Sequence, residues 1–302
     1  NGYTYLMPEL AADLNSGHNI LATVYAECHS MYRVDGPLTQ RSLGETEFVR
    51  GQAAISASGD FGAARACDVM FGNVDLTLGS AVEPILEQHI EASGGRFRGV
   101  RISSGWHSHE GIHNVGDRES LLLEASVNEA VNVVHRMNLS LDVWLYHTQL
   151  EEVAQLADNH PDLTLVLNHV GSPILGGPYR GKNDEVFAHW KAALLPVSER
   201  HNVYVKLGAM PIRMPSYEGD RTLPPSSQEV AQAWRPWMET CIDAFGPARS
   251  MYESNFPVQK RWCSYQVCWN AFKRISAGAS AGEKTELFAA AAARAYRMES
   301  AL

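Results

Sequence analysis

An eight-stranded parallel α/β barrel, (β/α)8, is the fold class this sequence predicts, and three observations predict it. Short β-branched or apolar runs alternate with longer amphipathic stretches, the pattern of βα units wound around a parallel sheet. Nothing repeats at a fixed period and no low-complexity tract or long linker divides the 302 residues, so a single domain is expected. Polar residues stand at the C-terminal ends of several apolar runs, where a barrel strand aims its side chains into the mouth.

Seven strands can be placed: Ile20–Ala26, Val69–Leu76, Phe97–Ile102, Ser140–Tyr146, Leu163–Asn168, Val203–Leu207 and Arg249–Ser254. A short helix, Pro8–Asn15, precedes the first of them. A longer one begins near Ser227 and runs through Trp234, Trp237 and Cys241 to Phe245, where Gly246-Pro247 stops it. Ser280-Ala281-Gly282-Glu283 reads as a capping box that opens the alanine-rich run to Met298. Both of these helices are expected in the outer ring. Two loops rich in Gly and Pro, Gly171–Gly181 and Met210–Ser226, follow strand C-termini and are lid candidates, with ordered surface loops as the plainer alternative.

Closing such a barrel takes eight strands, so the first is expected to be missing from this numbering or unrecognised in it. Gly2-Tyr3-Thr4-Tyr5-Leu6 alternates as a strand would, but Asn1–Met7 reads better as a connection leading into a helix. The slot between the Ile20–Ala26 and Arg249–Ser254 strands is then expected to be vacant or filled by another segment.

Apolar residues make up 45% and charged residues 20% of the chain, which fits a folded protein with a real core and argues against disorder. A formal charge of −9 leaves no basic patch to neutralise a phosphate backbone, so nucleic acid is not an expected partner. No run approaches the roughly 18 apolar residues of a membrane span, and no signal peptide opens the chain. The expectation is a cytoplasmic protein with a small-molecule partner and no membrane partner, with self-association left open. Five scattered cysteines without C-x-x-C spacing fit a reducing compartment, and a buried structural role is expected for each.

Four strand ends carry candidate chemistry. His169 ends Leu-Val-Leu-Asn-His, His147 ends Val-Trp-Leu-Tyr-His, Glu27 ends Thr-Val-Tyr-Ala-Glu, and Asn255 ends Met-Tyr-Glu-Ser-Asn. Two histidines on consecutive strands suggest metal ligands, since neutral imidazole suits zinc, yet a catalytic zinc wants about three protein ligands and an open position. His107-Ser108-His109, with His113 nearby, falls in a polar loop and reads as a solvated or lid-facing cluster. Arg101 can grip a substrate carboxylate with two parallel hydrogen bonds or serve in a structural ion pair. Arg180, in the first long loop, is a further substrate-contact candidate. Lys206 and Glu253, at similar heights on the last two strands, are expected to pair inside the barrel.

Taken together, Thr-Val-Tyr-Ala-Glu-Cys, Phe-Arg-Gly-Val-Arg, Leu-Tyr-His, Leu-Asn-His-Val-Gly and Met-Tyr-Glu-Ser-Asn-Phe-Pro-Val resemble the amidohydrolase family of metal-dependent hydrolases with the TIM-barrel fold, among whose members are lactonases. The resemblance implies that His169 ends the sixth strand of the family's barrel, that His147 is a metal ligand on the fifth, and that Arg101 holds a substrate carboxylate on the fourth. Tyr146 could instead be the fifth-strand contact, because adjacent strand residues point to opposite faces. It also implies a first strand with an H-x-H pair ahead of Asn1 and a divalent metal, zinc in the first instance, or none if those ligands are absent. The family's eighth-strand aspartate is here Asn255, whose amide cannot take a proton at neutral pH, so Glu27 is the leading substitute base.

The reading that follows is hydrolysis of a small carboxylated lactone by water activated at the barrel mouth. Non-oxidative decarboxylation on a similar site is the alternative enzyme class, and a ligand-binding barrel without turnover is the alternative outside catalysis.

Overall fold

A computed structural model describes residues 4–210 and 224–298. Seven strands form one parallel sheet in sequence order: β1 (Ala22–Ala26), β2 (Arg65–Asn73), β3 (Phe97–Ser103), β4 (Ser140–Trp144), β5 (Leu165–Leu167), β6 (Val203–Leu207) and β7 (Ser250–Tyr252). Each expected strand has a counterpart, and β2 shows the largest displacement. It starts at Arg65 and ends at Asn73 because the Asp75 side chain accepts from the Thr77 amide (3.0 Å) and hydroxyl (2.6 Å), turning the chain out of the sheet.

Helices α1 (Met7–Leu14), α2 (Leu43–Ala57), α3 (Glu83–Ala92), α4 (Ala125–Arg136), α5 (Leu150–Asn159), α6 (Asn183–Ser198), α7 (Ser227–Phe245) and α8 (Tyr265–Ile275) accompany the strands. In α7 the apolar side chains of Val230, Trp234, Trp237, Met238, Cys241 and Phe245 recur at helical spacing and are buried. Its first turn is closed by Ser226 and Glu229, each accepting the other's backbone N–H, and Gly246 at φ 76° ends it. No helix among the described residues is long and apolar enough to cross a membrane.

The strands bury two faces. Met70, Val100, Leu141, Leu165, Val205 and Leu207 face the helix layer. Val69, Phe71, Val166 and Met251 face inward, and there they meet Ala291, Ala293, Ala295, Tyr296 and Met298. The alanine-rich run starts at the expected capping box as α9 (Ala281–Thr285), passes through a π-helical turn at Glu286–Ala290 and continues as α10 (Ala291–Tyr296). Its last part therefore lies against the inner face of the sheet and not in the outer ring. Alanine makes this placement feasible, since a helix with methyl side chains can approach strands closely.

Among the described residues β1 and β7 are not hydrogen-bonded to each other, and Thr4–Leu6 forms no strand, with Met7 already in α1. The two strands are thus the edges of the sheet, and α10 fills the space beside its inner face.

Charges on that inner face are neutralised in place. Asp142 of β4 is fully buried and accepts from Lys206 Nζ (2.5 Å), Asn168 Nδ2 (2.8 Å) and Tyr296 Oη (2.9 Å). Lys206 also lies over the Phe71 ring, 4.4 Å from its centroid. The expected Lys206–Glu253 pair is not formed. Lys206 is level with Met251, which leaves Glu253 two residues nearer the mouth, where it meets His169 instead.

Removing one partner from this network should have unequal effects. Tyr296→Phe leaves Asp142 with its cation and should cost about 1–2 kcal/mol, whereas Lys206→Met strands a buried carboxylate and should cost about 3–5 kcal/mol. Urea unfolding of both variants checks the order; equal losses would mean that Lys206 does not carry the charge balance.

Candidate active site

A cavity of about 360 Å³ opens at the C-terminal ends of the strands. Its wall comes from the loop after β3 (Ile112, His113), the end of β4 (Trp144, Tyr146), the loop after β5 (His169 and 172–177) and Ala209 after β6. Trp144 and Tyr146 are two residues apart on one strand and so face the same way, their rings 5.3 Å apart at 64°. Tyr146 also donates its hydroxyl to the His113 carbonyl, tying β4 to the loop after β3.

His169 lies on this wall as expected, held by unusual backbone. His169 (φ 56°), Val170 (φ 49°), Gly171 (φ 74°) and Ser172 (φ 44°) are four consecutive residues in left-handed conformations. Such geometry is costly for a β-branched residue such as Val170 and persists only where its surroundings enforce it. Here Trp190 Nε1, from α6, donates to the Val170 carbonyl at 2.7 Å, while the Gly171 and Ser172 amides donate to the Asn168 and His169 carbonyls.

The imidazole has a carboxylate partner, Glu253, whose Oε1 is 2.5 Å from His169 Nδ1. Burial opposes ionisation of Glu253, but His169, Lys206 and Arg101 outweigh it and hold its pKa below the usual carboxylate value. With Nδ1 directed at the Glu253 carboxylate, Nε2 is the ring nitrogen left for other contacts. Gly208 makes the approach of Glu253 feasible. A Cβ at that position would lie 2.2 Å from the Glu253 carbonyl oxygen and 2.5 Å from its Cγ.

Glu27 and Arg101 answer one another. Arg101 Nε donates to Glu27 Oε1 (2.7 Å), Nη2 donates to the Glu27 carbonyl, and Nη1 reaches Asn168 Oδ1 at 3.4 Å. Burial works against the arginine charge, and the Glu27 carboxylate more than offsets it, so the guanidinium pKa is raised. Arg101 thus forms an ion pair with Glu27. Glu27 is fully buried, with Oε1 held by Arg101 and Oε2 without a hydrogen-bond partner among the described residues, and it is not among the residues that line the cavity.

His147 and Asn255 are not gathered with His169. Tyr146 takes the cavity wall, while His147, past the end of β4 and first in a 3-10 turn (His147–Gln149), lies against the loop after β5 and α6. There it is fully buried, with its ring 5.4 Å from Tyr179 and 5.7 Å from His189. Its Nδ1 accepts from the Ile174 amide at 3.3 Å. Asn255 (φ 51°) gives its carbonyl to the Gln259 amide and is absent from the wall, as is the exposed Arg180. Among the described residues no three His, Cys, Asp or Glu side chains converge to hold a metal ion.

The Gly171–Gly181 loop supplies much of the wall, His113 joins it, and His107 Nε2 lies 3.0 Å from Tyr179 Oη in that loop. Of the second lid candidate, residues 211–223 lie outside the described residues. Four cysteines are buried as expected, but Cys28 is exposed in the loop after β1. Sequence reasoning missed Trp144 and the role of Glu253. Both signals were present as strand parity, Trp144 matching Tyr146 on β4 and Glu253 matching Met251 on the inward face of β7.

The model of the amidohydrolase family matches residues 54–298 of the chain. Among curated proteins, y4mH of Sinorhizobium fredii is 30% identical over 217 residues, covering 72% of this chain and 66% of that protein. An L-fucono-1,5-lactonase of Burkholderia multivorans is 26% identical over 203 residues, covering 67% of this chain and 65% of that one. The chain thus spans just under two thirds of the length of these two relatives. A solved amidohydrolase from Burkholderia multivorans with bound zinc superposes with a TM-score of 0.66 at 20% identity, over 92% of this chain and 99% of that one.

The buried His147 predicts an acid sensitivity. Burial, then His189 and His107, lower its pKa from 6.5 to about 4. The unfolded chain therefore binds a proton that the folded one refuses, so stability is full above pH 6.5 and is lost as pH falls toward 4, by roughly 3 kcal/mol. Urea unfolding at pH 7 and pH 5 should show His147→Gln losing less over that interval than the parent chain. An unchanged difference would place the sensitivity elsewhere.

Proposed function

The chain belongs to the amidohydrolase family, and from that premise we propose that it opens a small lactone with water activated by His169. The observation that carries this reading is the His169–Glu253 contact of 2.5 Å on the wall of the mouth cavity. The lactonase among its relatives supports the substrate class.

In the proposed reaction His169 Nε2 takes a proton from water as the water oxygen bonds to the ring carbonyl carbon. The ring C–O bond then breaks, and the imidazolium returns the proton to the departing alkoxide, giving a hydroxy acid. Glu253 fixes the tautomer through Nδ1 and stabilises the imidazolium between the two transfers. It acts through His169 and is a positioning residue. Decarboxylation has less support, because the cation suited to gripping a carboxylate, Arg101, is already neutralised by Glu27.

The divalent metal implied by the resemblance, and found as zinc in the Burkholderia structure, does not fit the described side chains. His147 faces α6 and Asn255 offers only an amide, so no step is assigned to a metal.

Hydrolysis of a lactone panel followed with a pH indicator tests the reading. His169→Asn should lower kcat by on the order of 10²–10⁴. Glu253→Gln should lower kcat with little change in KM, since the imidazolium formed during the reaction loses its carboxylate partner. An active His169→Asn enzyme would overturn the assignment.

A further inference from the structure

We infer that the cavity selects an uncharged lactone bearing an apolar or aromatic ring, and not a carboxylated one. This rests on the lactonase reading for the reaction, while the ligand preference stands on the wall itself.

Among the described residues no Lys, Arg, Asp or Glu lines the cavity, and its ionisable side chains are Tyr146 and the imidazoles of His113 and His169. The rest of the wall includes Trp144, Ile112, Ile174 and Leu175. The strand-end cations nearest in the fold are committed to carboxylates, Arg101 to Glu27 at 2.7 Å and Lys206 to Asp142 at 2.5 Å. Both are largely buried, with side chains 14% and 6% exposed. A ligand carboxylate would find no Lys or Arg on the described wall, and to gain one it would have to break a buried ion pair, which costs several kcal/mol.

The aromatic corner supplies the positive half of the argument. Trp144 and Tyr146, tilted at 64°, offer one ring to stack on a flat ligand and another to meet its edge. The indole is seated deliberately close to the backbone, because a Cβ at Gly105 would lie 2.4 Å from Trp144 Cζ3. With about 360 Å³ available, the recess is at the small end of ligand sites and suits a one- or two-ring compound.

The test separates binding from turnover. Isothermal calorimetry on the full chain at pH 8 would compare 2-tetralone, a ketone that mimics the uncharged bicyclic lactone dihydrocoumarin but cannot be hydrolysed, with 2-tetralone-6-carboxylate. The uncharged ketone should bind at least about tenfold more tightly. Trp144→Ala should weaken it by about fivefold or more, and Trp144→Phe should retain most of the affinity. Equal affinities, a preference for the carboxylate, or no binding of either would overturn the inference. Tight binding of 2-tetralone with no hydrolysis of dihydrocoumarin would uphold the ligand class and overturn the lactonase reading.

Discussion

Everything at the mouth of this sheet depends on Asp142, a carboxylate held with no exposure to water near the middle of the inner face. An ion in that position is tolerable only if it is paired and its lone pairs are filled, and Lys206, Asn168 and Tyr296 do both. Each of those partners extends the constraint. Asn168 presents its oxygen to Arg101, which in turn holds Glu27. Lys206 contributes to keeping Glu253 ionised, and Tyr296 fastens the C-terminal helix to the sheet. One buried charge thereby fixes the side chains that stand beneath the cavity and the segment that covers the inner face.

Regular structure was legible wherever a local pattern settled it. The strand Val203–Leu207 has the same bounds in the sequence reading and in the fold, because alternate residues serve two buried faces. The capping box at Ser280 was legible because it involves residues three apart. The destination of α10 was not. Alanine spacing specifies a helix but not which side of the sheet receives it, and that choice depends on contacts with Phe71, Val166 and Met251, far away in sequence.

The site divides along the same line. His169 could be found from its place at a strand end, whereas the choice between Tyr146 and His147 was not legible, because β4 ends at Trp144 and His147 opens a 3-10 turn. Pairing was harder, since a strand-end charge reveals its direction but not its partner. Glu27, Arg101, Lys206, Asp142 and Glu253 all point toward the same interior, and the sheet's register and curvature decide that they sort as Glu27 with Arg101, Asp142 with Lys206, and Glu253 with His169. The consequence is chemical. With an amide at Asn255, the carboxylate beside the His169 imidazole comes from two residues earlier on the same segment.

The left-handed stretch from His169 to Ser172 has a bearing on any attempt to make this protein tolerate heat. A branched side chain at Val170 in that conformation carries a penalty of about 1–3 kcal/mol, and the full burial of its isopropyl group in the core offsets it. Glycine would relieve the strain but empty a core position and loosen the backbone that carries the His169 ring, so its net effect on the melting temperature is a loss. Engineers seeking heat tolerance would do better to leave these four peptide units alone and work elsewhere in the helix layer.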